Sequence, residues 1–334
     1  MLKLKNKIIF FLAFIILFIC GLYLSKILFQ DSSKIISRTQ LAMGTFVEIK
    51  ILSYDEQLAN RTINEAITEI KRIDKIFSTY NNKSTVWGIN YSKDKMILLD
   101  SEIFDFILIC DSIWKITNGA FDPSLGALTS AWGFESESPK LPTEDLINQA
   151  LINSGWSKIN LLKNGLRKDI NIKLDFSSIA KGYAVDKAIE KIKSTGVKIA
   201  LVNIGGEVKG IGKNWNVGIK HPRMSGLFIE NININEYGIA TSGDYENYFI
   251  ENGKRYNHII NPKTGYSAVL CQSVSIINKS DLFADALSTA CFVLGAKKSL
   301  ELIEKLEDTE CLIIDINGNK YESKGFDKFR IKQK

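Results

Sequence analysis

Strand-like and helix-like hydrophobic periods alternate along residues 35–334 without settling into the βαβ rhythm that a parallel sheet requires. That irregular alternation predicts an α+β fold: a mostly antiparallel sheet with packed helices. SRTQLAMGTFVEIKIL reads as a strand pair around a turn at Gly44, with Val47 and Ile49 alternating against polar neighbours. Residues 55–77 place Leu58, Ile63, Ile67, Ile70 and Ile73 near one helical stripe, and STYNNKS ends the run as a loop. A second helix runs from about Ser101 to Thr117, closed by Asn118-Gly119 in the manner of a C-cap. GAFDPSLGALTSAWGF reads as a loop, LPTEDLINQALINSG as a helix, KINLL and NIKLDF as strands, and 179–195 as a helix. KIALVNIGGEVKGIG is a buried strand ending in a double glycine, and WNVGIKHP begins a run of further strands and turns. DLFADALSTACFVLGAKKSLELIEKL is a helix divided near Gly295, and CLIIDINGNKYES is a hairpin with an Asn-Gly tip. No repeat, proline-rich stretch or charged linker divides residues 35–334, which predicts a single compound globule.

Residues 1–34 obey different rules. MLKLKNK is a basic head, and IIFFLAFIILFICGLYLSKIL is an apolar run long enough to cross a bilayer as a helix. The head predicts a cytoplasmic N-terminus and an extracytoplasmic body. Phe18 and Ile19, standing where a lipoprotein has small residues, favour an uncleaved anchor over acylation of Cys20, and cleaved secretion ranks third. DSSK then forms a short linker, so the domain reading is 1–34 for signal or anchor and linker and 35–334 for the folded body. The net charge of +6 is modest and the body has no basic stripe with interleaved aromatics, which argues against nucleic-acid binding. Cys110, Cys271, Cys291 and Cys311 form no CxxC pair and read as buried free thiols. With His221 and His258 the only histidines, a multi-histidine zinc site is excluded.

The chemistry gathers at LDFSSIAKGYAVDKAIE, residues 174–190, where a strand-like period gives way to a helical one. Unpaired N–H groups at such a helix start suit phosphate, yet the Asp175 carboxylate would repel it unless a cation intervened. Asp285 and Thr289 in ADALSTA are four apart on a helix and so share a face. Alone, that pair is more simply a dipole partner and a packed hydroxyl. If Ser178 joins it, the set becomes a hard-oxygen site suited to Mg²⁺; Lys181, one turn on, either reaches a phosphate oxygen or is a solvated surface lysine. Gly205-Gly206 marks either a close backbone approach or a tight turn, and VNIGGEVKGIG is not a dinucleotide fingerprint. Pro262 and Gly265 bracket a turn that would fix His258 and Ile259; His258 is an acid–base candidate only if that turn faces the same cleft.

MGTFVEI, GAFDPSLGALTSAWGF, LDFSSIAKGYAVD, VNIGGEVKGIG, WNVGIKHP, ATSGDYENYF, YNHIINPKTG and ADALSTACFVLG, in this order over residues 40–300, resemble the FAD:protein FMN transferases, the ApbE flavin transferases. The resemblance implies a T-fold-related, Mg²⁺-dependent enzyme on the outer face of the bacterial cytoplasmic membrane. Such an enzyme splits FAD, attaches FMN by a phosphoester to a threonine or serine of a partner, and releases AMP. It further implies that Met43, Tyr80, Ala120, Phe121, Asp122, Asp175, Lys181 and Ile259 contact FAD, and that Ser178, Asp285 and Thr289 bind the metal. On that reading His258 is the candidate base, with Asp244 the weaker alternative. The implied acceptors are subunits of sodium-translocating NADH:quinone reductase or Rnf-type complexes, or an extracytoplasmic reductase. Asn261 stands where the family often has Asp, Glu246 where a basic residue is common, and Ser177-Ser178 where many members carry Gly-Gly; none of these removes a matched metal ligand. The competing readings are an FAD pyrophosphatase that gives free FMN and AMP, and a membrane-tethered flavin-binding protein without catalysis.

Overall fold

Met43 and Gly44 both adopt positive φ (52° and 70°), the backbone sense of a tight primed hairpin turn. The turn folds β1 (Lys34–Ala42) onto β2 (Thr45–Ser53). The computed structural model describes residues 11, 13–21, 33–134, 136 and 139–331. β2 leads into an eight-stranded sheet completed by β6 (Ala200–Ile204), β7 (Glu207–Ile211), β10 (Tyr237–Gly243), β13 (Cys271–Asn278), β14 (Glu310–Asp315) and β15 (Lys320–Glu322). Their order is β1-β2-β6-β7-β10-β13-β14-β15, and every neighbouring pair is antiparallel. Smaller sheets are made by β3 (Met96–Leu98), β5 (Gly165–Arg167) and β4 (Asn160–Leu162), by β8 (Trp215–Lys220) with β9 (Phe228–Ile234), and by β11 (Tyr248–Glu251) with β12 (Lys254–Asn257).

The two-residue period of the strands divides the core into two layers. Ala200, Val202 and Ile204 of β6 and Ala240 of β10 face one side, where α1 (Glu56–Phe77), α6 (Ala180–Ser194) and α7 (Asp281–Leu294) pack. Leu201 and Ile239 face the other, under β8, β9 and the short helix Phe326–Phe329. Asp55 caps α1 by accepting the Leu58 N–H at 2.9 Å, and Ile63, Ile67, Ile70 and Ile73 are buried along it. The remaining helices are α2 (Thr85–Tyr91), α3 (Ser101–Ile116), α4 (Gly126–Trp132), α5 (Glu144–Ile152) and α8 (Ala296–Ile303). Gly295, at φ 76°, divides α7 from α8 where the sequence places the break.

Two stretches differ from the sequence reading, and a third carries no clear sequence signal. The loop expected over GAFDPSLGALTSAWGF contains α4, whose Leu128 and Trp132 join Ile147, Ala150 and Ile260 in a separate apolar cluster. NIKLDF pairs with no strand; its backbone is used instead by the Asn90 side chain, which bonds both the N–H and the C=O of Leu174. β13, near the middle of the sheet, is buried on both faces and so shows no clean alternation. The strand pair at Gly44, the Asn118-Gly119 helix end (φ 51° and 75°) and the last hairpin are as expected. Of the expected anchor, residues 11 and 13–21 are helical with exposed apolar side chains, and 1–10, 12 and 22–32 lie outside the described residues. Among the described residues no helix is long and apolar enough to cross a membrane.

A close helix–helix contact is made at Gly182 of α6. A Cβ there would stand 2.3 Å from the Asp281 carbonyl oxygen and 2.8 Å from the Asp285 Cβ. Only glycine permits α6 and α7 this separation. Gly182→Ala should lower stability by about 1–3 kcal/mol, the usual range for overpacking, and a urea midpoint unchanged from wild type would contradict that contact.

Candidate functional site

Antiparallel pairing brings several strand ends to one edge. The Met43-Gly44 turn, the Gly205-Gly206 turn, the start of β7 and the end of β10 lie together, because Val47 pairs with Ile204 and Ile239 with Val208. Gly205 is so close to β2 that a Cβ would meet the Thr45 hydroxyl oxygen at 2.7 Å. The start of α6 is drawn to the same edge, where the Lys181 ammonium meets the Glu207 carboxylate at 2.6 Å. Asp285, buried on α7, accepts the Gly182 N–H at 2.9 Å through Oδ2. Thr289, one turn further along α7, touches the Ser242 hydroxyl at 3.2 Å, and Ser242 also bonds Ser288 at 2.7 Å. Ser178 is half-buried in the turn that enters α6, one turn before Gly182.

These neighbours set the charge states. Burial first, then the Glu207 charge, pushes Asp285 up to about 7, against the Lys181 ammonium and the Gly182 N–H. Burial would lower Lys181, but Glu207, Asp285 and Glu246 together hold it above its ordinary value. Asp281, fully buried with neither carboxyl oxygen partnered, is driven well above the carboxylate range by burial and by Asp186. His258 is exposed at the surface, yet desolvation by the protein around it and the Lys181 charge lower it from its usual value. Its Nδ1 lies 3.2 Å from the Asn247 carbonyl oxygen. That contact requires the proton on Nδ1 and leaves Nε2 as a free acceptor. Lys181, Glu246 and Asp175 all act on the His258 charge, so the histidine turn lies near the α6 junction.

The other expected residues are placed in different ways. The Asp175 N–H donates to the Pro123 carbonyl at 2.9 Å and its Oδ1 accepts from the Ser177 N–H, which ties the junction to the Ala120–Asp122 loop. Asp122 itself is spent internally: Oδ1 accepts from the Ser124 N–H and hydroxyl, and Oδ2 accepts from the Trp156 N–H at 3.1 Å. Phe121 is fully buried and Ala120 and Ile259 nearly so, all in the main core with half-buried Met43 at its margin. The Met43 N–H donates to Asp74 near the end of α1, three residues before Phe77, whose ring packs edge-on against Phe176 at 5.6 Å. Tyr80 is exposed just beyond α1. Asp244, the weaker base candidate, is gripped by Arg223 at 2.7 Å through both oxygens and by Arg255 at 3.3 Å, so its lone pairs are committed. Asn261 shapes its own turn, its side chain accepting from the Lys263 N–H and its carbonyl from the Gly265 N–H.

Glu207 was not among the residues expected from the sequence. The available signal was a charged pair, Glu207 and Lys209, in a strand whose five residues are all buried. Each finds its counter-charge on α6, Glu207 on Lys181 and Lys209 on Asp186 at 2.7 Å.

A buried carboxylate, adjacent hydroxyls and an anchored ammonium at the end of a sheet form a donor set suited to a cation and a phosphorylated ligand. The ApbE family model matches residues 43–313, and the chain belongs to that family. It is 33% identical over 304 residues to the FAD:protein FMN transferase of Haemophilus influenzae, a match covering 85% of this chain and 88% of the relative. The crystal structure of the ApbE protein from Thermotoga maritima superposes with a TM-score of 0.84 at 32% identity, covering 90% of this chain and all of that one. The apo flavinyl transferase ApbE of Pseudomonas stutzeri gives 0.80 at 30% identity, covering 90% and 98%.

The raised Asp285 predicts a pH effect in chelator. With a folded value near 7 against 3.8 unfolded, the native state holds the proton more tightly. Stability contributed below pH ~4 is therefore lost as pH rises through ~7. Asp285→Asn should melt at a higher temperature than wild type at pH 8, with a smaller gap at pH 5. Equal melting at both values would contradict a buried, uncompensated carboxylate.

Proposed function

We infer that this chain is an FAD:protein FMN transferase. Family membership sets the reaction class, and the observation that carries the site is the meeting of Lys181, Asp285 and Thr289 at one end of the sheet. In the reaction the acceptor hydroxyl oxygen bonds the FMN phosphorus and the phosphorus–oxygen bond to AMP breaks. AMP departs with the bridging oxygen, and the hydroxyl proton passes to a base.

The residues present fit a divalent cation. Asp285, Thr289 and Ser178 would hold Mg²⁺, and all three offer hard oxygen. When bound, the ion supplies positive charge against the pyrophosphate and the departing AMP. Lys181, kept protonated by its carboxylate neighbours, holds a phosphate oxygen. His258, neutral at pH 7 with Nε2 free, takes the proton of the acceptor hydroxyl. Met43, Tyr80, Asp175, Ile259 and the Ala120–Asp122 loop line the flavin side, with Phe121 and Asp122 acting through packing and loop shape.

Residues 35–334 form the transferase unit in this reading and residues 1–34 its anchor, with the unit on the extracytoplasmic face of the cytoplasmic membrane. The basic head and the exposed apolar side chains of residues 13–19 support that placement. Mass spectrometry of the mature N-terminus, read for an acylated Cys20, separates a lipid anchor from a helical one. The acceptors are flavoprotein subunits of sodium-translocating NADH:quinone reductase or Rnf-type complexes, or an extracytoplasmic reductase.

The test is incubation of the full chain with FAD, Mg²⁺ and a threonine-bearing acceptor domain, followed by a denaturing gel read for flavin fluorescence. The expected result is a fluorescent acceptor band that chelator abolishes. Free FMN and AMP without that band would contradict transfer in favour of hydrolysis, and intact FAD would reduce the chain to a binding protein. Asp285→Ala should slow labelling by about 100-fold or more, the scale of losing one preorganised charge-stabilising group, and wild-type rates at saturating FAD would contradict its role. His258→Ala should lose about 10²- to 10⁴-fold, the range for a general base, and labelling within threefold of wild type would contradict that assignment.

A further inference from the structure

We propose that Glu207 is a positioning residue of the transfer reaction, whose carboxylate fixes the Lys181 ammonium in the cleft so that its other N–H donors face a phosphate oxygen. The proposal rests on the transferase reading and adds a residue to it.

Two charge pairs join α6 to β7, and they are built differently. In the first, Asp186 takes the Lys209 ammonium at 2.7 Å, the Ser280 hydroxyl at 2.7 Å, and the Asp281 and Leu282 N–H groups at 3.1 Å. Both its oxygens are used and it also caps α7, as a structural ion pair in a buried layer must to offset desolvation. In the second, Glu207 is 3% exposed and bonds Lys181 through Oε1 at 2.6 Å, while the equally buried Oε2 has no partner. A pair made only to join helix and strand would not leave a buried carboxylate oxygen unsatisfied, and such exceptions cluster at working sites.

The backbone beneath Glu207 is held tightly. It follows directly on Gly205 and Gly206, at φ 66° and 116°, with the Gly206 N–H donating to Asn203 at 3.0 Å and no room for a Cβ at Gly205. A lysine side chain has about 2 kcal/mol of rotamer freedom to lose and three N–H donors to place. One is spent on Glu207. A carboxylate on a rigid turn removes that freedom before the ligand arrives and leaves the remaining donors for a phosphate oxygen.

The test compares the full chain with Glu207→Gln, Lys181→Met and the double variant, reading the labelling rate, the KM for FAD, the KM for acceptor and the melting temperature. Glu207→Gln should lower kcat/KM for FAD at least tenfold and leave the KM for acceptor within twofold. In the Lys181→Met background, Glu207→Gln should cost no further activity and should raise the melting temperature, because it removes a stranded buried charge. If Glu207→Gln fails to fold, Glu207→Asp serves: it keeps the charge and should stay within tenfold of wild type while Lys181→Met does not. Losses that multiply in the double variant, or a Glu207→Gln enzyme with unchanged kcat/KM for FAD, would overturn the proposal while leaving the transferase reading intact. A wild-type chain that labels no acceptor would overturn that reading, and the proposal with it.

Discussion

The site depends on one close contact, the approach of α6 to α7 over the sheet at Gly182. Because Gly182 has no side chain, its N–H reaches the Asp285 carboxylate at 2.9 Å. That hydrogen bond sets the register of the two helices. It places Lys181 beside Glu207 at the start of β7, and Thr289 beside Ser242 at the end of β10. Any residue larger than glycine would separate the helices, and with them Lys181 from Asp285. Packing and chemistry here are one constraint.

Electrostatics follow from that packing. The helix–sheet layer buries Asp281, Asp285 and Glu207 and half-buries Asp186 against two ammonium groups, Lys181 and Lys209. Asp186 and Lys209 satisfy each other, whereas Asp285 is pushed up to about 7 and Asp281 well above the carboxylate range. A region with this excess of acid repels a pyrophosphate unless positive charge is added, which is why a hard cation and Lys181 belong in the same account. Asp175, at the helix start, is held locally. Its Oδ1 is already engaged by the Ser177 N–H, and its backbone N–H is tied to Pro123.

Much of this was legible in the sequence because the signals are local. The 3.6-residue stripe of α1, the primed turn at Met43-Gly44 and the Gly295 break each follow from a few neighbouring residues. The pairing of Asp285 with Thr289 follows from helix geometry alone. What stayed hidden depends on tertiary partners. β13 carries no alternation because both its faces are covered, and α4 is short and helical because Leu128 and Trp132 have a cluster to enter. Glu207 could not be ranked above other carboxylates without knowing that Lys181 stands across from it. Asp244 looked available as a base until Arg223 and Arg255 were found on it.

The most direct measurement is anomalous diffraction from crystals of the protein grown with FAD and Mn²⁺ in place of Mg²⁺. The account predicts a manganese peak at coordination distance from the Asp285 carboxylate and the Thr289 hydroxyl, with the FAD pyrophosphate against the ion and Lys181 on a phosphate oxygen. Dinucleotide bound at this end of the sheet with no metal on Asp285, or a metal and pyrophosphate held elsewhere, would contradict it.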